Sequence, residues 1–400
     1  MVPWTEDLRD LSCPVCTTKG PVALDTPCEV PVLMNRLYAT AANACAARRG
    51  PLTLLRCRKC GFVWNEAFRD ELITYDETYE NDQTYSTVFH SHIEERVRDV
   101  IAASASIDYL EIGCGQGGFI AEVARLAGPR LRSAEGFDPA WRGGDGEGPN
   151  GSHIHKAYFG ADTVDRLEYA PNVVATRHTI EHVPNPVLFL TAIREALGPR
   201  SEAVIFVETP CVDWILRHDA MQDFFYEHCS IFTAQALATA LHSAGFIAPE
   251  VKHVFGGQYL WTRARASGEG AADEPEKPLD FAIVEGMRQR FAEKWLARVA
   301  EAARSGRVAI WGAGAKGVNF ALLVDPEGTL FDHVVDINPA KQGLHLAGSG
   351  LPVISPAESI ARKTTTYFVM NPNYLDEIDA LLRLANPFAS LVPLNQETLL

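Results

Sequence analysis

Positive charge is in short supply: 36 Lys and Arg stand against 51 Asp and Glu, a net charge of −15 at pH 7. Nucleic acid and anionic membrane surfaces call for the opposite balance, so broad binding of either is excluded. A nucleotide-sized substrate, which needs only a few local cations, is not. Long hydrophobic runs are also missing. No stretch of about twenty apolar residues occurs, which excludes a hydropathy-type membrane span. The first residues, Met1-Val-Pro-Trp-Thr-Glu-Asp7, lack a basic-then-apolar secretory pattern, and the expectation is a cytoplasmic chain. Nine cysteines among 400 residues are too sparse for a disulfide framework. What remains is ordinary globular composition, 47% hydrophobic and 22% charged, at a length that calls for two or three domains.

Four of the cysteines form two knuckles, Cys13-Pro-Val-Cys16 and Cys57-Arg-Lys-Cys60-Gly61. Tetrahedral zinc takes four thiolates, and each Cys-x-x-Cys turn delivers two from one side. Cys13, Cys16, Cys57 and Cys60 therefore read as a closed structural zinc site, with no open position for catalysis. Cys28, Cys45, Cys114, Cys211 and Cys229 read as small buried residues.

The chain is organised around Asp108-Tyr-Leu-Glu111-Ile-Gly113-Cys-Gly115-Gln116-Gly117-Gly118-Phe119. An apolar strand breaks into glycines and then enters a helix. The glycines let backbone approach a ligand where a Cβ would clash. A carboxylate just ahead of them suits a ligand carrying positive charge better than a bare pyrophosphate. Gly136-Phe-Asp138-Pro139 then ends a second strand, where an acid holds ribose hydroxyls.

The α/β order continues with helix 118–127, strand 133–137, a Gly-rich loop at 143–148 read as disordered or a lid, strand 172–177, helix 187–197 and strand 203–208. His178 and His182 follow the fourth strand, at the mouth where an open α/β sheet keeps its ligands. His182 is either a site residue or a satisfied structural histidine. Next comes Phe225-Tyr226-Glu227-His228, where a Glu-His pair among aromatics either holds a neutral imidazole for base catalysis or steadies the loop. Thr233 reads as the N-cap of helix 234–244. Upstream, Tyr79 and Tyr85 ahead of the Gly-rich strand either cap the cofactor and substrate or pack the modules together.

An acidic Gly- and Pro-containing segment at 266–280 reads as a linker, and a long helix near 282–304 follows it. The pattern then restarts: strand Val308-Ala-Ile310, Gly312-Ala-Gly314-Ala-Lys316-Gly317, and Val334-Val-Asp336 some twenty residues later. This imitates a dinucleotide fingerprint without a dehydrogenase's catalytic set. Lys316, with Asn319 one turn on, is expected to bind substrate; a purely architectural role is the alternative.

The Glu111-x-Gly-x-Gly-x-Gly turn resembles the first motif of class I S-adenosylmethionine (SAM) methyltransferases. Taken in order, the knuckles, this turn, Glu227-His228 and Gly312-Ala-Gly-Ala-Lys-Gly317 resemble the sugar C-methyltransferases that act on nucleotide-linked 4-keto-deoxysugars. Asp336-x-x-Pro339-x-Lys341-Gln342-Gly343 and Pro352-Val-Ile-Ser-Pro356 extend the likeness over nearly the whole chain. The resemblance implies a class I SAM methyltransferase Rossmann-like core between an N-terminal zinc-binding module and a C-terminal Rossmann-like α/β domain. The divisions expected are 1–75, 76–265, a linker at 266–280, and 281–400. It implies SAM at Glu111, Gly113, Gly115, Gln116, Gly117, Asp138, Pro139, His178 and Tyr79, and substrate at Lys316, Tyr85 and Asn319. The reaction centre would hold His182, Tyr226, Glu227 and His228, with His228 as the base. Cofactors would be SAM and structural Zn²⁺, and the partner a small-molecule nucleotide-linked sugar, in a monomer or weak homodimer. The family shows Tyr-Asp-Glu-His where this chain has Phe225-Tyr226-Glu227-His228. O- or N-methylation of a sugar or other metabolite is the second reading, a non-catalytic SAM-binding scaffold the third, and a nicotinamide oxidoreductase the weakest.

Overall fold

The structure is a computed structural model that describes residues 8–75, 79–80, 84–160, 162–198, 201–267, 275–280 and 286–394. Three larger sheets and a two-stranded one, Cys28–Pro31 with Arg49–Leu52, carry the architecture of the described residues. The central one has seven strands, in the spatial order Ile247–Val254, Tyr259–Arg265, Val204–Pro210, Val173–Arg177, Ile107–Ile112, Leu131–Phe137 and His153–His155. Five of them are parallel, in the doubly wound order 3-2-1-4-5. Tyr259–Arg265 runs antiparallel to both its neighbours, and Ile247–Val254 beyond it forms the edge of the sheet. The strand Ile107–Ile112 is buried along its whole length, as expected of a parallel strand covered on both faces.

Several sequence expectations hold in place. Helix Gly118–Ala127 follows the glycine turn, helix Pro186–Ala196 opens with proline, and Thr233 caps Ala234–Ser243 through a bond from Ala236 N to its Oγ1, 2.9 Å. The loop at 143–148 differs from its expectation. Gly146 N donates to Ile154 O at 2.8 Å, and Lys156 N donates to Asp145 Oδ1 at 2.8 Å. Those bonds fold the loop into a tight turn that leads into His153–His155, a strand too short to announce itself by periodicity. Cys45 is exposed and not buried.

The N-terminal module adds strands Val22–Ala23, Leu54–Arg56 and Val63–Asn65. Its fourth strand, Ser230–Ile231, comes from far along the chain and pairs with Val63–Trp64. The third sheet is wholly parallel, ordered Val353–Ile354, His333–Val335, Val308–Trp311, Thr366–Val369, Ser390–Pro393. This is again 3-2-1-4-5. Residues 268–274 of the expected linker lie outside the described residues, while Leu279 O accepts from Arg56 Nη2 at 2.7 Å and ties the linker's end to the module. The long helix is Met287–Ser305. Among the described residues no helix is long and apolar enough to cross a membrane.

Candidate active site between two doubly wound sheets

The knuckles come first, because they set the position of the loop that carries His228. Cys13 and Cys60 Sγ lie 3.7 Å apart and Cys16 and Cys57 Sγ 3.4 Å apart, with all four thiols within 4.8 Å of one another. A tetrahedral zinc with Zn–S bonds of about 2.3 Å needs S–S edges of about 3.8 Å. Backbone N–H groups of Val15, Cys16 and Lys59 point at the sulfurs, at 3.4–3.5 Å. The four thiols therefore fit a structural zinc. From the second knuckle, Cys60 O accepts from Thr233 Oγ1 at 2.6 Å. The zinc site and the 224–233 loop are thus bonded directly.

At the central sheet, Glu111 is 2% exposed and Tyr109 Oη donates to its Oε2 at 3.3 Å. Burial pushes its carboxyl up to about 8, against partial relief from Arg177. A buried acid held so far above its usual range is short of positive charge, which the ammonium of SAM would supply. Gly115 has φ +56° and open space where a Cβ would be, the cradle a bound nucleoside needs. Asp138 Oδ2 accepts from Gly115 N and Oδ1 from Ala140 N, each at 2.8 Å, which aims the carboxylate at that cradle. Pro139 lies within this turn. Gly113 is glycine for a different reason: a Cβ there would fall 2.1 Å from Thr179 Oγ1. Gly117 ends the turn as the N-cap of helix Gly118–Ala127. Gln116 reaches across it, its Nε2 donating to Ala140 O at 3.0 Å, and so braces the loop around Asp138. The residues present fit SAM.

His178 has φ +48°, a strained backbone at the mouth of the sheet. Its ring stands between two fully buried acids, Nδ1 3.4 Å from Glu181 Oε1 and Nε2 3.8 Å from Glu208 Oε2. Burial would raise Glu208, but Arg177, His92 and His178 hold it well below the carboxylate range. His178 also lines a cavity of about 280 Å³ that runs from these strand ends to the C-terminal sheet. That cavity joins His178, His182, Tyr85 and His228 on one side to Lys316 and Asp336 on the other.

Three placements depart from the sequence reading. Glu227 does not face His228: its Oε2 accepts from Met34 N at 2.7 Å. Burial pushes that carboxyl up to about 7. The Glu-His pair is therefore no dyad; Glu227 instead ties the N-terminal module to the loop. Tyr79 lines the cavity, its hydroxyl accepting from Asn35 Nδ2 at 3.2 Å. Tyr226 turns its hydroxyl to the backbone of Arg69, accepting from N at 2.8 Å and donating to O at 3.1 Å. Phe225 lines the cavity in its place, so the family's tyrosine hydroxyl is lost and not shifted. Asn319 is 3% exposed and its Nδ2 is shared among the carbonyls of Met221, Gln222 and Phe224, the shortest contact being 2.8 Å. It holds that loop to the C-terminal domain and does not reach the cavity.

His228 itself packs against Phe225, ring centroids 3.9 Å apart and the planes tilted by 41°, and edge-on to His182 at 4.9 Å. Burial first, then the imidazoles of His182 and His178 and the Lys316 ammonium, depress its pKa well below the usual imidazole value. It is a neutral ring at neutral pH. His182 is braced by Tyr75, whose Oη lies 2.9 Å from its Nδ1. Lys316 Nζ donates to Asp223 Oδ2 at 2.8 Å and to Gln258 Oε1 at 3.4 Å.

Several side chains in this cavity were not assigned a role from the sequence: Asn35, Glu181, Asp223, Gln258 and Asn371 reach it from distant parts of the chain, and Glu181 is spaced three residues from His178.

Residues 88–248 match the model of a methyltransferase domain, and residues 282–386 match that of a C-methyltransferase C-terminal domain. The C-methyltransferase NovU of Streptomyces niveus is 26% identical over 292 residues, 67% of each chain. Solved structures similar to part of the chain include a possible histamine N-methyltransferase from Thermotoga maritima. It is 14% identical, with 45% of this chain and 91% of that one covered and a TM-score of 0.33. Another is the riboflavin-analogue dimethyltransferase RosA of Streptomyces davawensis, 17% identical, with 45% and 55% covered and a TM-score of 0.35. The chain is a SAM-dependent methyltransferase that carries a C-methyltransferase C-terminal domain.

Proposed function

We propose that the protein methylates the carbon α to the ketone of a nucleotide-linked keto-deoxysugar, with His228 as the base. One observation carries the reading. A neutral imidazole lies in a cavity shared by the strand ends of the SAM core and the crevice of a second doubly wound sheet. An acceptor spanning that cavity has its reactive end at His228 and its nucleotide at the C-terminal domain.

SAM, when bound, supplies a methyl already activated on sulfonium, so the chain's task is positioning and one proton transfer. His228 takes the proton from the α carbon. The electron pair passes into the carbonyl as an enolate, and the carbon then forms its new bond to the methyl as the S–C bond breaks, leaving sulfur with that pair. The proton leaves His228 for solvent. With Phe225 offering no hydroxyl, Lys316 is the cation in the cavity best suited to the enolate or the phosphates.

The same missing hydroxyl favours a second reading, O- or N-methylation, in which His228 deprotonates a hydroxyl or amine and no enolate forms. A mass-spectrometric assay in D₂O with SAM and a nucleotide-linked 4-keto-6-deoxysugar decides. Deuterium α to the ketone together with a carbon-bound methyl supports the first reading. A methyl on oxygen or nitrogen without exchange overturns it in favour of the second.

A further inference from the structure

Proton transfer by His228 leaves two of its neighbours without a task. Glu181, His182 and His228 all line the cavity, and one ligand atom from each lies within 4.8 Å of the others. Two imidazoles and a carboxylate form a donor set for divalent transition metals, imidazole suiting zinc, cobalt, nickel and copper. They come from two parts of the chain, the turn Ile180–His182 after strand Val173–Arg177 and the loop ahead of Ser230–Ile231.

Glu181 supplies the negative charge. Its side chain is fully buried, and its Oε2 accepts from Thr209 Oγ1 at 3.1 Å. Its Oε1 has no hydrogen-bond partner among the described residues, since His178 Nδ1, 3.4 Å away, stands outside bonding geometry. A buried carboxylate oxygen without a partner is costly, and a cation removes that cost. The nearby acids are already matched: Glu208 accepts from Arg177 Nε at 2.6 Å and Asp223 from Lys316 Nζ at 2.8 Å.

The outer shell fits as well. Tyr75 Oη lies 2.9 Å from His182 Nδ1, so a proton on Nδ1 is held by the tyrosine oxygen and Nε2 keeps its lone pair. A zinc-sized ion bound at about 2.0–2.2 Å draws nitrogen and oxygen ligands to about 3.4 Å of one another, and the three side chains close in by small rotations. Three protein ligands leave a fourth position open, unlike the closed site of four thiolates.

We infer that Glu181, His182 and His228 bind a divalent transition-metal cation, and that its binding arrests the enzyme by occupying the lone pair of His228. The arrest rests on His228 as the base proposed above; the site itself does not. The ion sits where the acceptor's reactive end belongs, so it competes with the acceptor. It leaves the cradle at Glu111 and Asp138 free for SAM.

Cobalt(II) titrated into the full chain, with zinc on the four thiolates, tests it by absorption spectroscopy. One cobalt per chain should bind with visible d–d bands and without the near-ultraviolet charge-transfer band of a thiolate, because its donors are nitrogen and oxygen. Glu181→Gln and His182→Phe should each weaken cobalt binding about a hundredfold or more, beyond what loss of an outer-shell partner costs. SAM affinity, the check on folding, should be unchanged in both. No cobalt bound, a thiolate band alone, or undiminished binding in both variants overturns the site. The D₂O assay then reads the arrest: α exchange should fall in step with cobalt occupancy, competitively with the acceptor, and return on dilution. Exchange unimpaired at full occupancy overturns the arrest and removes His228 as the base while the site stands. Normal exchange without any cobalt bound removes the site and leaves the base.

Discussion

Replacing Glu111 by Gln should separate the stability of the SAM core from its affinity for SAM. In the ligand-free chain burial raises this carboxyl from 4.5 to about 8, only partly opposed by Arg177 and the Tyr109 hydroxyl. The folded state therefore keeps a proton that the unfolded chain has lost, and stability falls as pH climbs from about 4.5 to about 8. By pH 7 the loss amounts to about 3 kcal/mol at 1.36 kcal/mol per pH unit. Gln keeps the shape and an acceptor for Tyr109 but cannot ionise. Ligand-free Glu111→Gln should then melt several degrees above the wild type at pH 7 to 8, at about 2–4 °C per kcal/mol, and close to it at pH 5.

SAM reverses that order. An ammonium of SAM held beside Glu111 would favour the ionised carboxylate, so that binding at pH 7 should release a proton. Wild-type affinity should strengthen by up to about tenfold per pH unit between pH 6 and 8. Glu111→Gln should bind more weakly and release no proton. Thermal melts from pH 5 to 9 with and without SAM, together with calorimetry in two buffers of different ionisation enthalpy, measure both halves. A pH-independent SAM affinity, or a variant that binds SAM as tightly as the wild type, would refute the reasoning.

Burial first, then the neighbouring His182, His178 and Lys316, oppose a charge on His228 and hold its pKa well below the usual imidazole value. The base limb of kcat/KM should therefore stay flat through the usual imidazole range and fall only at more acidic pH, and His228→Ala should lose α exchange and methyl transfer together. Removing zinc, by chelation or by Cys60→Ser, should lower the melting temperature and weaken the packing of the 224–233 loop; metal analysis should return one zinc per chain before treatment. Asn319→Ala strands three carbonyls and should cost about 1–3 kcal/mol in denaturant melts without changing SAM affinity. Tyr226→Phe should cost about 1 kcal/mol and leave the rate unchanged, since its hydroxyl serves only Arg69; a rate loss would return Tyr226 to the reaction centre.

The parts legible in the sequence were those written locally. The Cys-x-x-Cys pairs, the glycine turn after a buried strand, the N-cap at Thr233 and the proline opening helix Pro186–Ala196 each fit in a few residues, and each stands where the residues placed it. Direction was not legible. Glu227 and His228 are adjacent, and adjacency suggested a dyad. On an irregular loop, however, the two side chains point apart, one to Met34 N and the other to the rings of Phe225 and His182. Lys316 and Asn319 sit one turn apart on one helix, and only Lys316 reaches the cavity. The strand Ser230–Ile231 is two residues long, and its partner, Val63–Trp64, lies more than 160 residues earlier. No periodicity could reveal it.

That short strand explains why a zinc module belongs to this enzyme. His228 is two residues from Ser230, whose pairing with Trp64 extends the module's sheet, and Thr233 is bonded to Cys60 O on the second knuckle. Just ahead of them, Glu227 is held by Met34 N from the same module. The loop bearing His228, the proposed base, is thus fixed from the N-terminal side by these contacts, and from the C-terminal side by Asn319 and by the Lys316–Asp223 pair. A neutral imidazole is a weak base, so the proton transfer depends on holding it in line with the substrate, where small displacements cost large factors in rate. Zinc loss should therefore slow α exchange before it abolishes SAM binding, because Glu111 and Asp138 stand on the central sheet and draw none of their bonds from the module.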